Sequence, residues 1–155
     1  MSNSRPLFFT TDQGAQERLR ASRTVGSTCV ALAIRGWKCK TESALHDEVG
    51  AALQFPDYYG ENWNAFDECI KDLSWLPAER YVIVMLEFGD VLPSNDRGLR
   101  NLLEVLTDAK THWEDKGIPF EVVLAGDRAG FERASSVGGA AVRVTDAAGG
   151  ASQGS

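Results

Sequence analysis

A small α/β fold follows from three apolar runs and from the kind of sequence that separates them. Residues 28–34, 81–86 and 120–125 are almost unbroken stretches of aliphatic, aromatic and small residues. Runs of that kind suit strands buried on both faces, whereas a strand with one wet face alternates apolar and polar positions. The segments between them carry helical spacing, so the strands are joined by crossovers. Crossovers make the sheet parallel and the connections right-handed. The expected architecture is a three-stranded parallel sheet flanked by helices in the order β-α-α-β-α-β.

Strand one, over residues 28–34, is bounded by Gly26 and Gly36. After it, Thr41 or Ser43 can cap a helix whose apolar positions Leu45, Val49, Ala52 and Leu53 fall at i, i+4, i+7 and i+8, and Pro56 closes it. A Tyr58-Tyr59-Gly60 loop follows. Asn62 is placed to cap a second helix running to about Leu73, where Ser74-Trp75-Leu76-Pro77 ends it. Strand two covers residues 81–86. A short helical turn fits residues 87–92, and Pro93-Ser94-Asn95 opens the longest helix, about Asp96 to Lys116. Leu99, Leu102, Leu103, Leu106, Ala109 and Trp113 form its apolar stripe; Gly117 suits a left-handed end and Pro119 prevents continuation. Strand three is residues 120–125.

This pattern places one domain over residues 27–126. Residues 1–26 read as an N-terminal extension of uncertain order, with a short helix over 13–22 that has few apolar positions to bury. Residues 127–155 read as a Gly/Ala/Ser-rich C-terminal extension, partly flexible, with 140–144 its only strand-like piece.

With 155 residues, 43% hydrophobic and 25% charged, the chain has the composition of an ordinary globular domain. No run approaches the about 18 apolar residues of a membrane span, and the first ten residues lack the apolar core of a secretory signal, so a cytoplasmic location and no membrane partner are expected. The net charge of −6 argues against direct nucleic-acid binding, where phosphate neutralisation supplies most of the affinity, and in favour of a basic partner. Cys29, Cys39 and Cys69 are odd in number and widely spaced, which fits reduced thiols rather than a disulfide framework or a zinc site. His46 and His112 have no nucleophile motif beside them, so no catalytic residues, metal or cofactor are expected.

The acidity is concentrated. Between Asp57 and Asp72 five carboxylates (Asp57, Glu61, Asp67, Glu68, Asp72) face a single cation, Lys71. On a helical wheel Trp63, Phe66, Cys69, Ile70 and Leu73 share one arc while Glu61, Asn64, Asp67, Glu68, Lys71 and Asp72 share the other. A solvated face with carboxylates near the helix N-terminus would account for Glu61 but not for Asp72 at the opposite end. The long helix adds Glu104, Asp108 and His112 at i, i+4 and i+8. Of Tyr58 and Tyr59, one ring is expected in the core and the other beside the carboxylates, the composition of a contact site for a basic protein.

The run Pro56-Asp57-Tyr58-Tyr59-Gly60-Glu61-Asn62-Trp63-Asn64-Ala65-Phe66 resembles the signature of the barstar family, intracellular inhibitors of secreted barnase-like ribonucleases. The likeness extends over about residues 28–125 and includes the Asp108-Ala109-Lys110 segment. The resemblance implies a barstar-like fold in which the tyrosine loop and the acidic helix plug a ribonuclease active site. It implies that Tyr58 stands at the position of the family's contacting tyrosine, Asn64 at that of an aspartate and Asp67 at that of an exposed tryptophan. Glu68 takes the place of the dominant aspartate, and Asp108 that of a glutamate on the last helix.

The expected partner-binding set is Tyr58, Gly60, Asn64, Asp67, Glu68, Asp72 and Asp108. The expected partner is a small basic ribonuclease of the extracellular type, bound by a monomeric inhibitor as a 1:1 heterodimer. The changes at 64, 67 and 68 make the chain more similar to inhibitors of guanyl-specific ribonucleases than to barstar itself. Two other readings stay open: a binding module for a different basic toxin or protein, and an enzyme or regulatory protein using Glu61, Glu68 and Asp108 as a carboxylate cluster.

Overall fold

A computed structural model describes residues 6–23, 28–57, 59–139 and 144–146. The elements are β1 (Leu7–Thr10), α1 (Asp12–Arg23), β2 (Cys29–Arg35), α2 (Glu42–Ala52), α3 (Trp63–Asp72), β3 (Arg80–Leu86), α4 (Asp96–Asp115), β4 (Phe120–Ala125), α5 (Arg128–Gly138) and β5 (Val144–Asp146). Short 3-10 turns at Gly36–Lys38 and Phe88–Asp90 follow β2 and β3.

The sheet has five strands, not three. Its order is β2-β3-β4-β1-β5, with every pairing parallel. The three apolar runs form β2, β3 and β4, joined in the expected order. The two additional strands come from the flanking segments: Leu7–Thr10 pairs with β4 in the register Phe8↔Val123 and Phe9↔Leu124, and β5 pairs with β1 through Leu7↔Val144. Both are short, and their partners lie in β4 and in one another, so no local periodicity announces them. α5 was also absent from the sequence-based expectation. The Gly, Ala and Ser content of 128–138 conceals a helix capped by Asp127, whose carboxylate accepts the Gly130 N–H at 2.9 Å, and buried through Ala134 and Val137. Of the strand-like piece at 140–144, only Val144 falls among the described residues; 147–155 lie outside them, as do 1–5.

The order explains the layers. From β1 the chain crosses to the far edge at β2 and then returns through β3 and β4, so right-handed crossovers require α1 on one face of the sheet and α2, α3 and α4 on the other. The step from β4 to β5 continues in the returning direction, and α5 accordingly packs beside α4. Alternation along β3 and β4 serves both layers. Tyr81, Ile83, Met85, Phe120, Val122 and Leu124 join the core beneath α2–α5, while Val82, Val84, Leu86, Val123 and Ala125 meet Ala15 and Leu19 of α1. α5 also fixes the entry to α4, since Arg133 donates to the carbonyls of Val91 and Leu92 and pairs with Asp96 at 3.1 Å.

Phe9 of β1 is 2% exposed and makes edge contacts with Phe88 and Phe131 at ring-centroid distances of 6.3 and 5.6 Å. Phe9→Ala therefore lowers stability by about 3–5 kcal/mol, the usual cost of emptying a buried phenylalanine site. It is seen as a drop in the urea midpoint at unchanged slope. A loss below about 1 kcal/mol would mean that β1 lies outside the cooperative unit.

Candidate partner-binding site

α3 begins and ends at residues chosen for the purpose. Asn62 accepts the Ala65 N–H through Oδ1 at 2.8 Å, satisfying one of the free donors of the first turn. Leu73 closes the helix in the left-handed conformation (φ 48°), its N–H bonded to the Cys69 carbonyl. Between these ends Phe66 and Ile70 are fully buried and Cys69 nearly so. Asn64, Glu68 and Asp72 are exposed on the opposite side.

The helix is held from behind. At its last turn the Trp113 indole N–H of α4 donates to the Ile70 carbonyl at 2.9 Å. At its first turn the Trp63 indole N–H donates to Glu42 Oε1 at 3.1 Å, while Glu42 Oε2 accepts from Asn95 Nδ2 at 2.7 Å. Trp63 is thus half-buried and polar-bonded at the border of the core, where the sequence placed it on the apolar arc.

Of the expected contact residues, the structure brings Asn64, Asp67, Glu68 and Asp72 onto the outward side of α3, and Gly60 onto the exposed loop that leads into it. Asp108 is exposed on α4, the helix packed beside α3; its neighbours Glu104 and His112 are half-buried. Tyr58 lies outside the described residues. The carboxylates are not equivalent. Asp67 is paired with Lys71 one turn on at 3.0 Å, whereas Glu68, Asp72 and Asp108 form no ion pair among the described residues.

Tyr59 turns inward. Its ring packs edge-on against Phe55, with centroids 4.8 Å apart, and its hydroxyl is hydrogen-bonded to His46 Nδ1 of α2. Burial lowers the pKa of His46 and raises that of Tyr59. Both shifts favour the uncharged forms, so the bond joins a phenol to a neutral imidazole. Gly50 faces the Tyr59 ring closely, at 3.5 Å from the position a Cβ would take. The thiols are similarly quiet: burial pushes Cys39 up to about 12, and burial followed by the Asp72 and Glu68 charges raises Cys69.

The sequence did not single out His46, Glu42 or Asn95 as site residues. His46 carried a readable signal, lying one position after Leu45 on the apolar side of α2. Glu42 carried none, because its partners are 21 and 53 residues away.

The buried, neutral His46 sets a pH dependence. Its folded pKa is below the unfolded value of about 6.5, so the unfolded chain binds the proton more readily, and the stability His46 contributes is present above that value. That contribution is lost as pH falls from about 6.5 through the lowered folded pKa. Urea midpoints measured from pH 7 to 5 should decline more steeply for the parent than for His46→Gln, and parallel declines would contradict the assignment. The window is separate from that of Glu48, whose pKa is lowered by the Arg35 side chain and whose contribution is lost only below the usual carboxylate range.

Comparison with known proteins places the chain in a family. The family model described as Barstar (barnase inhibitor) matches residues 30–125, from β2 through β4. The Bacillus subtilis (strain 168) protein named "Putative ribonuclease inhibitor YrdF" is 28% identical over 93 residues, covering 60% of this chain and 96% of that protein. Among solved structures, a chain of Drosophila ORC bound to GC-rich DNA and Cdc6 aligns over 92% of this chain with a TM-score of 0.55 at 12% identity. The Aeropyrum pernix ORC2 protein (ADPNP-ADP complexes) aligns over 91% with a TM-score of 0.54 at 11% identity. This chain spans 48% and 41% of those two chains, and at such identities the likeness shows the arrangement of helices and sheet alone. By the match over β2 to β4, which contains the whole of α3 and its supporting helices, the chain belongs to the barstar family.

Proposed function

We propose that the chain is an inhibitor that binds and blocks the active site of a small basic ribonuclease, of the barnase-like or guanyl-specific kind. It does so by seating α3 and the tyrosine loop in the substrate cleft. The observation that carries this reading is Glu68: an exposed carboxylate with no ion pair among the described residues, on a helix fixed at both ends and along its back. A ribonuclease holds the scissile phosphate with cationic side chains. A carboxylate already fixed in place can accept several charge-assisted hydrogen bonds there while paying little ordering entropy. Asp72 and Asp108 extend the negative surface and steer a cationic partner, Asn64 and Gly60 supply neutral contacts, and Tyr58 is the aromatic contact carried over from the family pattern. The complex is 1:1, forms in the cytoplasm and involves no cofactor or catalytic step by this chain.

One observation favours a second reading, in which the barstar scaffold serves a different basic toxin or protein. Asp67 stands where the family presents an aromatic, and its charge is engaged by Lys71 rather than offered outward. Titration of the chain into a guanyl-specific microbial ribonuclease, followed by RNA cleavage, separates the two. Stoichiometric inhibition that weakens as salt is raised supports the first reading. Failure across several such enzymes favours the second.

Two substitutions sharpen the assignment. Glu68→Ala weakens binding by at least about 2 kcal/mol, roughly 30-fold in Kd, whereas a loss under threefold would remove Glu68 from the phosphate site. Asp67→Ala changes Kd by less than about fivefold, because a partly exposed pair of this kind is worth at most about 1 kcal/mol. A larger loss measured in the same titration would place Asp67 among the direct contacts.

A further inference from the structure

We propose that Glu42 is a positioning residue for the partner-facing helix, fixing the rotation of α3 relative to α4 and hence the direction in which Glu68 and Asp108 point together. The inference rests on the reading that α3 is the binding helix. Glu42 occupies the first turn of α2, Trp63 is the first residue of α3, and Asn95 is the N-cap of α4. One carboxylate therefore joins the beginnings of three helices, accepting the Trp63 indole N–H at 3.1 Å through Oε1 and the Asn95 amide N–H at 2.7 Å through Oε2. Asn95 is itself committed, since its Oδ1 accepts the Gly98 N–H at 2.9 Å.

The placement is favourable because the N-terminal ends of helices carry partial positive charge, and here one anion faces three of them. Gly98 records the same constraint. A glycine inside the first turn of a 20-residue helix weakens that helix relative to alanine. At this position, however, a Cβ would stand 2.8 Å from Glu42 Oε2 and 2.6 Å from Asn95 Nδ2. The helix gives up a side chain to admit the carboxylate.

Trp63 lies on the edge between the buried and outward arcs of α3, so its indole acts as a lever on helix rotation. Without the Glu42 bond, α3 retains its Asn62 cap and its Trp113 contact but loses the restraint at its first turn. Glutamine at position 42 can accept at only one atom and would set its own amide donors against those of Trp63 or Asn95. Glu42→Gln should therefore uncouple α3 while keeping nearly the same volume.

Three variants test this: Glu42→Gln, Trp63→Phe, which deletes the indole donor but keeps a ring, and the double variant. The first measurement needs no partner. Glu42→Gln should raise the hydrogen-exchange rate of the Trp63 indole N–H, identified by its disappearance in Trp63→Phe, by about tenfold or more while the β3 and β4 amides stay protected. An unchanged indole rate overturns the proposal. The second measurement is Kd for the ribonuclease that the parent chain inhibits. Each single variant should bind about tenfold more weakly, and the double variant no more weakly than the worse single one, because both remove the same restraint.

Phe9→Ala, destabilised far from α3, should keep the parent Kd, which separates positioning from lost stability. Parent-like binding by Glu42→Gln, or additive losses in the double variant, also overturns the proposal. If the parent inhibits no ribonuclease, the functional reading fails. The indole exchange rate still decides whether Glu42 holds α3.

Discussion

The constraint on which the rest of the molecule depends is that β3 and β4 are apolar on both faces. Residues 81–86 are all buried, as are 122–125, so neither strand can tolerate a wet side. A sheet of this kind needs helices above and below. The matched family region, β2 to β4, supplies α2, α3 and α4 to one face only. The second face is closed by α1, which precedes that region, with Ala15 and Leu19 set against Val82, Val84 and Val123. The segments outside the match are therefore part of the same packing problem: β1 extends the sheet from β4, and β5 extends it from β1.

Legibility followed the range over which each interaction acts. Strands β2, β3 and β4, the caps Thr41 and Asn62 and the left-handed Gly117 (φ 81°) could be read because each depends on a few neighbouring residues. β1 could not, since Leu7–Thr10 is a strand only because residues 123–125 lie alongside it. α5 was hidden for another reason: apart from Phe131, which meets Phe9, its buried positions are alanine, valine and glycine, which give a weak periodic signal. At the candidate site, the division of α3 into an inner and an outer side was visible from spacing. The distinction between Asp67, engaged by Lys71, and Glu68, which is not, turned on side-chain geometry. The three-helix junction at Glu42 had no sequence pattern, because no spacing rule connects residues 42, 63 and 95.

Acidic surfaces are often treated as a single field, and here the field is made of parts with different functions. Glu42 is half-buried and hydrogen-bonded to helices of its own chain; Glu48 is bound by the Arg35 guanidinium through two bonds of 2.8 Å; Asp67 is held by a neighbour. Charges engaged in these ways contribute to the long-range potential that attracts a cation but have less to offer in direct contact. Asp72 and Asp108, like Glu68, are exposed and form no ion pair among the described residues.

Because the contacts that tie α3 to the rest of the described residues reach it from the inner side or from its ends, the residues that hold the helix and the outward residues Asn64, Glu68 and Asp72 are separate sets. Phe66, Ile70, Asn62 and Trp63 perform the first task; positions 64, 68 and 72 have no share in it. Exchanging an outward side chain leaves the fold energy almost untouched, while exchanging an inner one alters the whole unit. A helix mounted in this way can change its outer surface without relearning how to fold, so surface and architecture in this chain are free to evolve at different speeds.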